Sequence, residues 1–451
     1  MKTMTSYYNE AFEKDSVARE PYEPLIEVFD RMGPGMLAER RARANEKLRK
    51  LGATFPLPGE EGGKDRVLPA DWVPRLIPRD HWERLSAGLL QRSRAINAWL
   101  DDLYNGDQGV VPKEIVESSI LYRPNPLPGP SIPVHVYGPD VVHMGDGEYL
   151  VIEDNVRVPS GIAYSEAVRQ AGLAVMKEMF DPYRVEDIND YYEMLRGTFE
   201  AAAPPGVEDP EIAMITSGPG DSAFFEHDRI ARECSIRLLT LNDLRISNGE
   251  VLSRSDGRRI DVIYHRVEAG FVVADLPGLE EVYWDGGIGL ANALGVGIAD
   301  DKAVFPYVPA MISHYLDEKP ILDNAAAVSL WEPESREEAL ERLPELVIKP
   351  REGFGAKGVV IGPEASREEI DQARRDIRKD PTGYVAQECL DFSKHVLGDR
   401  EGEAFIDLRA FVLPAAGYVM PGGLTRVAPP GTRVVNSSAG GSFKDTWVLE
   451  G

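Results

Sequence analysis

Residues 346–362 read LVIKPREGFGAKGVVIG. LVIKP is a short β-prone run that ends near Lys349. Gly353, Gly355 and Gly358 follow with the spacing of a dinucleotide-binding fingerprint. Such a fingerprint opens a helix, whereas VVIG after Gly358 is again strand-like. Strand, glycine loop, strand predicts a hairpin whose backbone N–H groups fold over phosphates. Lys349 and Lys357, at the end of the first strand and inside the loop, suit a phosphate clamp. The alternative is a surface hairpin with solvated lysines. A third feature favours the nucleotide: YVAQECL (384–390) is a short strand that sets the backbone of Gln387 to Cys389 against an adenine edge.

Upstream, residues 131–161 read SIPVHVYGPDVVHMGDGEYLVIEDNVRVPSG. Gly145-Asp146-Gly147 is a hairpin turn between two strands. Glu153 and Asn155 are two apart and leave one strand face. Asp140 reaches that face across the turn, whereas Asp154 points the other way. Asp, Glu and Asn oxygens are hard ligands suited to Mg²⁺ shared with phosphates. The alternative is a solvated acidic patch. Arg157 and Ser160 are the nearest groups able to orient an anion. Asp407 and Arg409 share a strand face in FIDLRAFV, and Arg426 and Lys444 lie in glycine-rich surroundings where backbone approaches a ligand closely.

The 451 residues contain 50 Lys and Arg against 75 Asp and Glu, a net charge of −25. That surface repels phosphate backbones, so no nucleic-acid partner is expected. Two cysteines, Cys234 and Cys389, exclude a disulfide framework and a Cys-based metal site. No apolar signal core or 18-residue apolar run is present, so a cytoplasmic protein without a membrane partner is expected. Residues 1–110 read as helical, with 55–74 a Gly- and Pro-rich loop and Trp82, Leu85, Leu89, Leu90, Ile96, Trp99 and Leu100 facing a core. A segment at 111–205 holds the acidic hairpin and a long helical stretch from about 163 to 202. Residues 206–310 alternate strand and helix, which predicts a parallel α/β unit. Residues 311–451 mix short strands with the amphipathic helix SREEIDQARRDIRK, before a tail that reads as a long loop. Gly218-Pro-Gly220-Asp-Ser-Ala223 is a second glycine fingerprint, with Asp243 near the place of a ribose-binding acid. It reads more simply as a strand-to-helix turn. His227 reads as a packed or substrate-side histidine.

VIEDNVRVPSG (151–161), VIKPREGFGAKGVVIGP (347–363), YVAQE (384–388), DLRAFV (407–412), MPGGLTRVA (420–428) and NSSAGGSFKDTWVL (436–449) together resemble the motifs of circularly permuted ATP-grasp proteins, relatives of the ligase half of glutathionylspermidine synthase. EHDRIAREC (226–234) and LANALGVGIADDKAVFPYVP (290–309) are similar to that family's middle segment. The resemblance implies an α/β (α+β) permuted ATP-grasp fold with a helical N-terminal region and a Rossmann-like pre-ATP-grasp domain. It explains why the acids precede Lys349 by about 200 residues. It implies ATP and Mg²⁺, with Lys349, Lys357 and Lys444 among the nucleotide contacts, Gln387 and Glu388 at the adenine, and Asp140, Glu153 and Asn155 on the metal. The family arginine two residues before the first metal-binding Asp is replaced by Gly138, so its phosphoryl-stabilising role falls to Arg157, Arg409 or Arg426. The expected activity is ligation of a small carboxylate to an amine of an amino acid, peptide or polyamine. An ATP-binding scaffold without turnover is the alternative.

Overall fold

The computed structural model describes residues 7–13, 17–54, 67–125, 127, 132–267, 269–352, 358–396, 402–429, 431–435 and 441–451. Three sheets matter for the site. The largest runs, in spatial order, Ala70–Ile77, Ser442–Val448, Leu424–Val427, Glu403–Arg409, Asp140–Gly145, Glu148–Glu153 and Asp323–Asn324, with Lys394–Val396 also paired to Glu403–Arg409. Early and late segments of the chain therefore sit side by side. A smaller antiparallel sheet contains Ala327–Ser329, Tyr384–Glu388, Leu346–Pro350 and Val360–Ile361. The third, of Arg237–Leu239, Ile212–Ile215, Val262–His265 and Gly289–Ala291, is parallel throughout, as the alternating pattern at 206–310 predicts.

Local chemistry accounts for several elements. Asp146 and Gly147 both have positive φ, 49° and 77°, which matches the twist of the strands they join. The helix Arg367–Lys379 starts at a capping box between Ser366 and Glu369 and buries Ile370, Ala373 and Ile377 on one face. That face packs with Leu346, Ile348 and Ala386 to form a separate small core behind the smaller sheet. The helix Arg79–Asn105 buries Trp82, Leu85, Leu89, Ile96, Trp99 and Leu100, with Leu90 half-buried. Among the described residues no helix is long and apolar enough to cross a membrane.

The structure corrects three expectations. First, the N-terminal region is not wholly helical: Ala70–Ile77 is a strand, parallel to Ser442–Val448. It is buried on both faces, so it shows no alternation. Pro74 also reads as a breaker, yet a proline is tolerated there because the strand lies at a sheet edge. Second, the stretch 163–202 is broken into Ile162–Val175, Lys177–Phe180 and Tyr191–Ala201. The break includes Pro182, which has no N–H for a helix. Third, the glycine-rich tail holds two interior strands, Leu424–Val427 and Ser442–Val448.

One buried ion pair ties the last strand to the first. Lys444 Nζ lies 2.8 Å from Asp71, and the two side chains are 0% and 1% exposed. The same ammonium donates to the carbonyls of Val73 and Val396. Removing one partner of such a pair strands a buried charge. Lys444→Met is expected to destabilise the fold by about 3–5 kcal/mol, seen as a lower urea midpoint. Adding Asp71→Asn should recover much of the loss.

Candidate functional site

The acidic hairpin is irregular at the point where it matters. Val142 pairs with Leu150 and Val141 with Val151, but Asp140 pairs with Glu153, so Ile152 is an extra residue. This β-bulge turns Glu153, rather than Ile152, toward Asp140. Arg409 is the cross-strand partner of Asp140 on its other side, and Arg426 is the partner of Asp407. Residues directly opposite in a sheet share a face, so Glu153, Asp140 and Arg409 form one row and Asp407 and Arg426 a second beside it. Arg409 donates to both oxygens of Asp140, at 2.8 and 2.7 Å. Arg426 Nη2 reaches Asp140 at 2.9 Å and grips Asp407 with both Nε and Nη2. Burial pushes the pKa of Asp140 up, but Arg409 and Arg426 outweigh it and hold the carboxyl below its usual range. For Asp407 burial prevails over Arg426, and its pKa is pushed up to about 6.

The smaller sheet closes on this row. Lys349 Nζ donates to the carbonyl of Ile152 at 3.3 Å, and Gln387 Nε2 donates to the same oxygen at 3.4 Å. The bulged residue is thus the meeting point of the early hairpin and two late strands. Glu153 lies 2.9 Å from Lys302 Nζ. Its burial is offset by Lys302 and Lys349, which keep it ionised to lower pH than usual. Burial lowers the pKa of Lys349 despite the attraction of Glu153, with Lys302 adding to the decrease. Asp154 points away, as its alternation predicts, into a bidentate pair with Arg92 and a bond from Tyr137.

Between the two sheets lies a cavity of about 480 Å³, within the range of small-molecule sites. Val142, Ile152, Val347, Ile361, Leu390 and Phe392 give it apolar wall, and Asp140, Glu153, Asp300 and Asp407 face Arg157, Lys302, Lys349, Arg409 and Arg426 around the rest. Glu388 also lines it and is gripped by Arg342 at 2.8 and 3.0 Å. Apolar surface beside dense charge suits a ligand with a flat base at one part and anionic oxygens at another. Among the described residues no three His, Cys, Asp or Glu side chains are placed to hold a metal by themselves. Mg²⁺ in nucleotide sites needs only one or two carboxylates, since phosphates and water supply the remaining oxygens. Glu153 fits that role. Asn155 spends its amide nitrogen on Gly138 O and Asp140, which leaves Oδ1 for a cation. Asp140 is the least available of the three, because its oxygens already hold guanidinium groups.

The cavity brings together Asp140, Glu153, Asn155, Arg157, Lys349, Gln387, Glu388, Arg409 and Arg426. Gly353, Gly355 and Lys357 lie outside the described residues. Gly358 has φ +76°, and a Cβ there would come within 2.9 Å of the Pro350 ring. Lys444 does not belong to this set. Arg426 lies opposite Phe443, which lines the cavity, whereas Lys444 lies opposite Thr425 and so projects from the other face of its strand. Gly138 has no room for the arginine expected at its position: a Cβ would fall 2.5 Å from that of Pro159. The fingerprint at 218–223 is a strand-to-helix turn before Phe224–Glu233, and Asp243 caps a turn by accepting from Thr240. His227 is buried against the Thr216 hydroxyl.

The sequence reading missed Asp300, Asp301 and Lys302. These consecutive residues bind three different segments: Asp300 to Arg157 and the Val156 N–H, Asp301 to Arg351 at 2.7 Å and Ser119 at 2.6 Å, and Lys302 to Glu153. They lie within LANALGVGIADDKAVFPYVP (290–309), where the charge run Asp-Asp-Lys is the available signal.

A Synechocystis sp. protein described as "Uncharacterized protein" is 37% identical over 470 residues, covering 99% of this chain and 98% of its own. A Frankia alni protein named "Putative glutamate--cysteine ligase 2-3" is 37% identical over 462 residues, and this chain spans 54% of that protein's length. The structure of a glutathione synthetase-like effector from Globodera pallida, in its apo form, superposes with a TM-score of 0.57 at 14% identity, over 92% of this chain and 98% of the other, which is a likeness of fold. The family model for circularly permuted ATP-grasp type 2 matches residues 74–428. With most of its length inside that match, this chain belongs to the circularly permuted ATP-grasp type 2 family.

Proposed function

We propose that the protein is an ATP-dependent ligase joining a small carboxylate to an amine. One observation carries this reading: Lys349 and Gln387 converge on the carbonyl beside Glu153, so lysine strand and acidic hairpin border one cavity. The family assignment supports it. A relative bears a glutamate–cysteine ligase name, but this chain spans about half of that protein, so its substrates are not carried over.

ATP supplies the activating group: its γ-phosphoryl passes to the carboxylate, and an amine then displaces phosphate from the acyl phosphate to leave an amide. Mg²⁺, when bound, neutralises phosphate charge, and Glu153 and Asn155, with Asp140, would hold it. Lys349 would balance further phosphate charge, together with Lys357. The flat wall at Gln387 to Leu390 would take the adenine. Glu388, fixed by Arg342, would stand at its edge. Arg157, Arg409 and Arg426 are the candidates for steadying the reacting phosphoryl. Arg409 and Arg426 are pre-aligned by Asp140 and Asp407, which suits charge stabilisation without reorganisation during reaction. The walls of the cavity would limit water, which otherwise hydrolyses an acyl phosphate.

A second reading rests on the same arginines. Their carboxylate partners, together with the absence of an arginine at Gly138, favour an ATP-binding scaffold without turnover. The discriminating assay is ADP release with Mg²⁺ over amino acids, short peptides and polyamines. Release that requires both a carboxylate and an amine supports the ligase, whereas nucleotide binding without it supports the scaffold.

Glu153→Gln should lower turnover by about a hundredfold or more while leaving the fold intact. Lys349→Ala should weaken nucleotide binding by about tenfold or more, as expected for the loss of a charged hydrogen-bond donor, measured by calorimetry. Unchanged ADP release in both variants would overturn the site.

A further inference from the structure

Lys302 is a cavity-lining cation whose anchoring and whose reach differ. Its backbone is held by the two residues that precede it. Asp300 accepts from the Val156 N–H and from Arg157, and Asp301 accepts from Arg351, Ser119 and the Ala303 N–H. Its ammonium extends to Glu153 Oε1 at 2.9 Å. Lysine carries a compact charge on four rotatable methylenes, so a fixed root leaves the tip able to move.

The three ion-paired carboxylates of the hairpin are held differently. Asp154 is locked by the Arg92 fork, and Asp140 by the Arg409 fork with Arg426 beside it. A planar fork fixes geometry. Among the described residues, Glu153 is instead met through one oxygen by an ammonium. The contrast with the buried lysine pair of the last strand is equally informative. Lys444 and Asp71 are sealed, at 0% and 1% exposure, whereas Lys302 and Glu153 keep 14% and 30% of their side chains accessible at the cavity wall.

We propose, building on the ligase reading above, that Lys302 is the exchangeable counter-ion of Glu153. Without nucleotide its ammonium neutralises the carboxylate. When a divalent cation takes Glu153, like charges repel, and the ammonium turns to the phosphate oxygens that arrive with the metal. A triphosphate brings more negative charge to that ammonium than a diphosphate does, so Lys302 should favour MgATP over MgADP. The exchange moves charges and breaks no covalent bond.

The test uses the full chain. Mn²⁺ binding without nucleotide is followed by electron paramagnetic resonance, and MgADP and MgATP binding by calorimetry. Circular dichroism checks the fold. Lys302→Met should bind free Mn²⁺ about tenfold more tightly, because the competing ammonium is gone, and should lose about tenfold in its preference for MgATP over MgADP. Lys302→Arg, which keeps the charge but can grip Glu153 with a fork, should bind Mn²⁺ about tenfold more weakly. If Lys302→Met fails to fold, the Lys302→Arg result decides alone. Wild-type Mn²⁺ affinity in a folded variant, or an unchanged preference in Lys302→Met, would make the pair merely structural and overturn the proposal. Glu153→Gln separates the two levels. If it keeps wild-type Mn²⁺ and MgATP binding, the site reading itself fails. If it loses metal while the Lys302 variants stay silent, only the role of Lys302 falls.

Discussion

A buried carboxylate is stable only beside a cation, and removing its partner is more damaging than never having made the pair. That constraint shapes the cavity. Asp140 stands between Glu153 and Arg409 across adjacent strands, and Asp407 stands opposite Arg426. Each charge is set by sheet register, so the row is rigid in the way a sheet is rigid. Asp154 and Glu388 are neutralised from behind the wall by Arg92 and Arg342. The remaining described lining therefore faces inward with more cations than carboxylates, in a chain of net charge −25. An acidic exterior repels a free polyanion, whereas a complex already partly neutralised by a divalent cation is repelled less. The arrangement suits a ligand that arrives with its metal.

Local irregularity does the aiming. One extra residue at Ile152 rotates Glu153 toward Asp140, and the carbonyl of that residue becomes the anchor for Lys349 and Gln387. A regular hairpin would have set Ile152 across from Asp140 and left an apolar side chain in the row. Asp300 and Asp301 perform a similar task from a third segment, tying Arg157 and Arg351 into one frame.

The parts legible in the sequence are those governed by neighbours in the chain. The Asp146-Gly147 turn, the Ser366–Glu369 cap, the opposed directions of Glu153 and Asp154, and the strand bearing Lys349 all follow from short-range rules. What escaped depends on distant partners. Ala70–Ile77 becomes a strand because Ser442–Val448 lies beside it. Lys444 sits in a glycine-rich stretch like Arg426, yet its direction is set by phase: once Arg426 is opposite Phe443, the next residue must leave by the other face. Lys302 has no motif of its own, and its meeting with Glu153 exists only in three dimensions. The bulge, too, is invisible in the letters, since VIE reads equally well as unbroken strand.

The order of strands also explains why chain order is a poor guide to this site. In the largest sheet, residues 442–448 lie between 70–77 and 424–427, and 140–145 lies between 403–409 and 148–153. Neither the early nor the late part of the chain can complete that sheet by itself. The carboxylate of Asp140 meets its arginines only after residues 403–427 have docked on the hairpin. Until then it is better left in water, because an unpaired charge does not enter the interior. Charge pairing and strand docking are therefore one event. Permuting the connections changes which end of the chain supplies each strand, but it leaves untouched the register that sets Asp140 against Arg409 and Glu153.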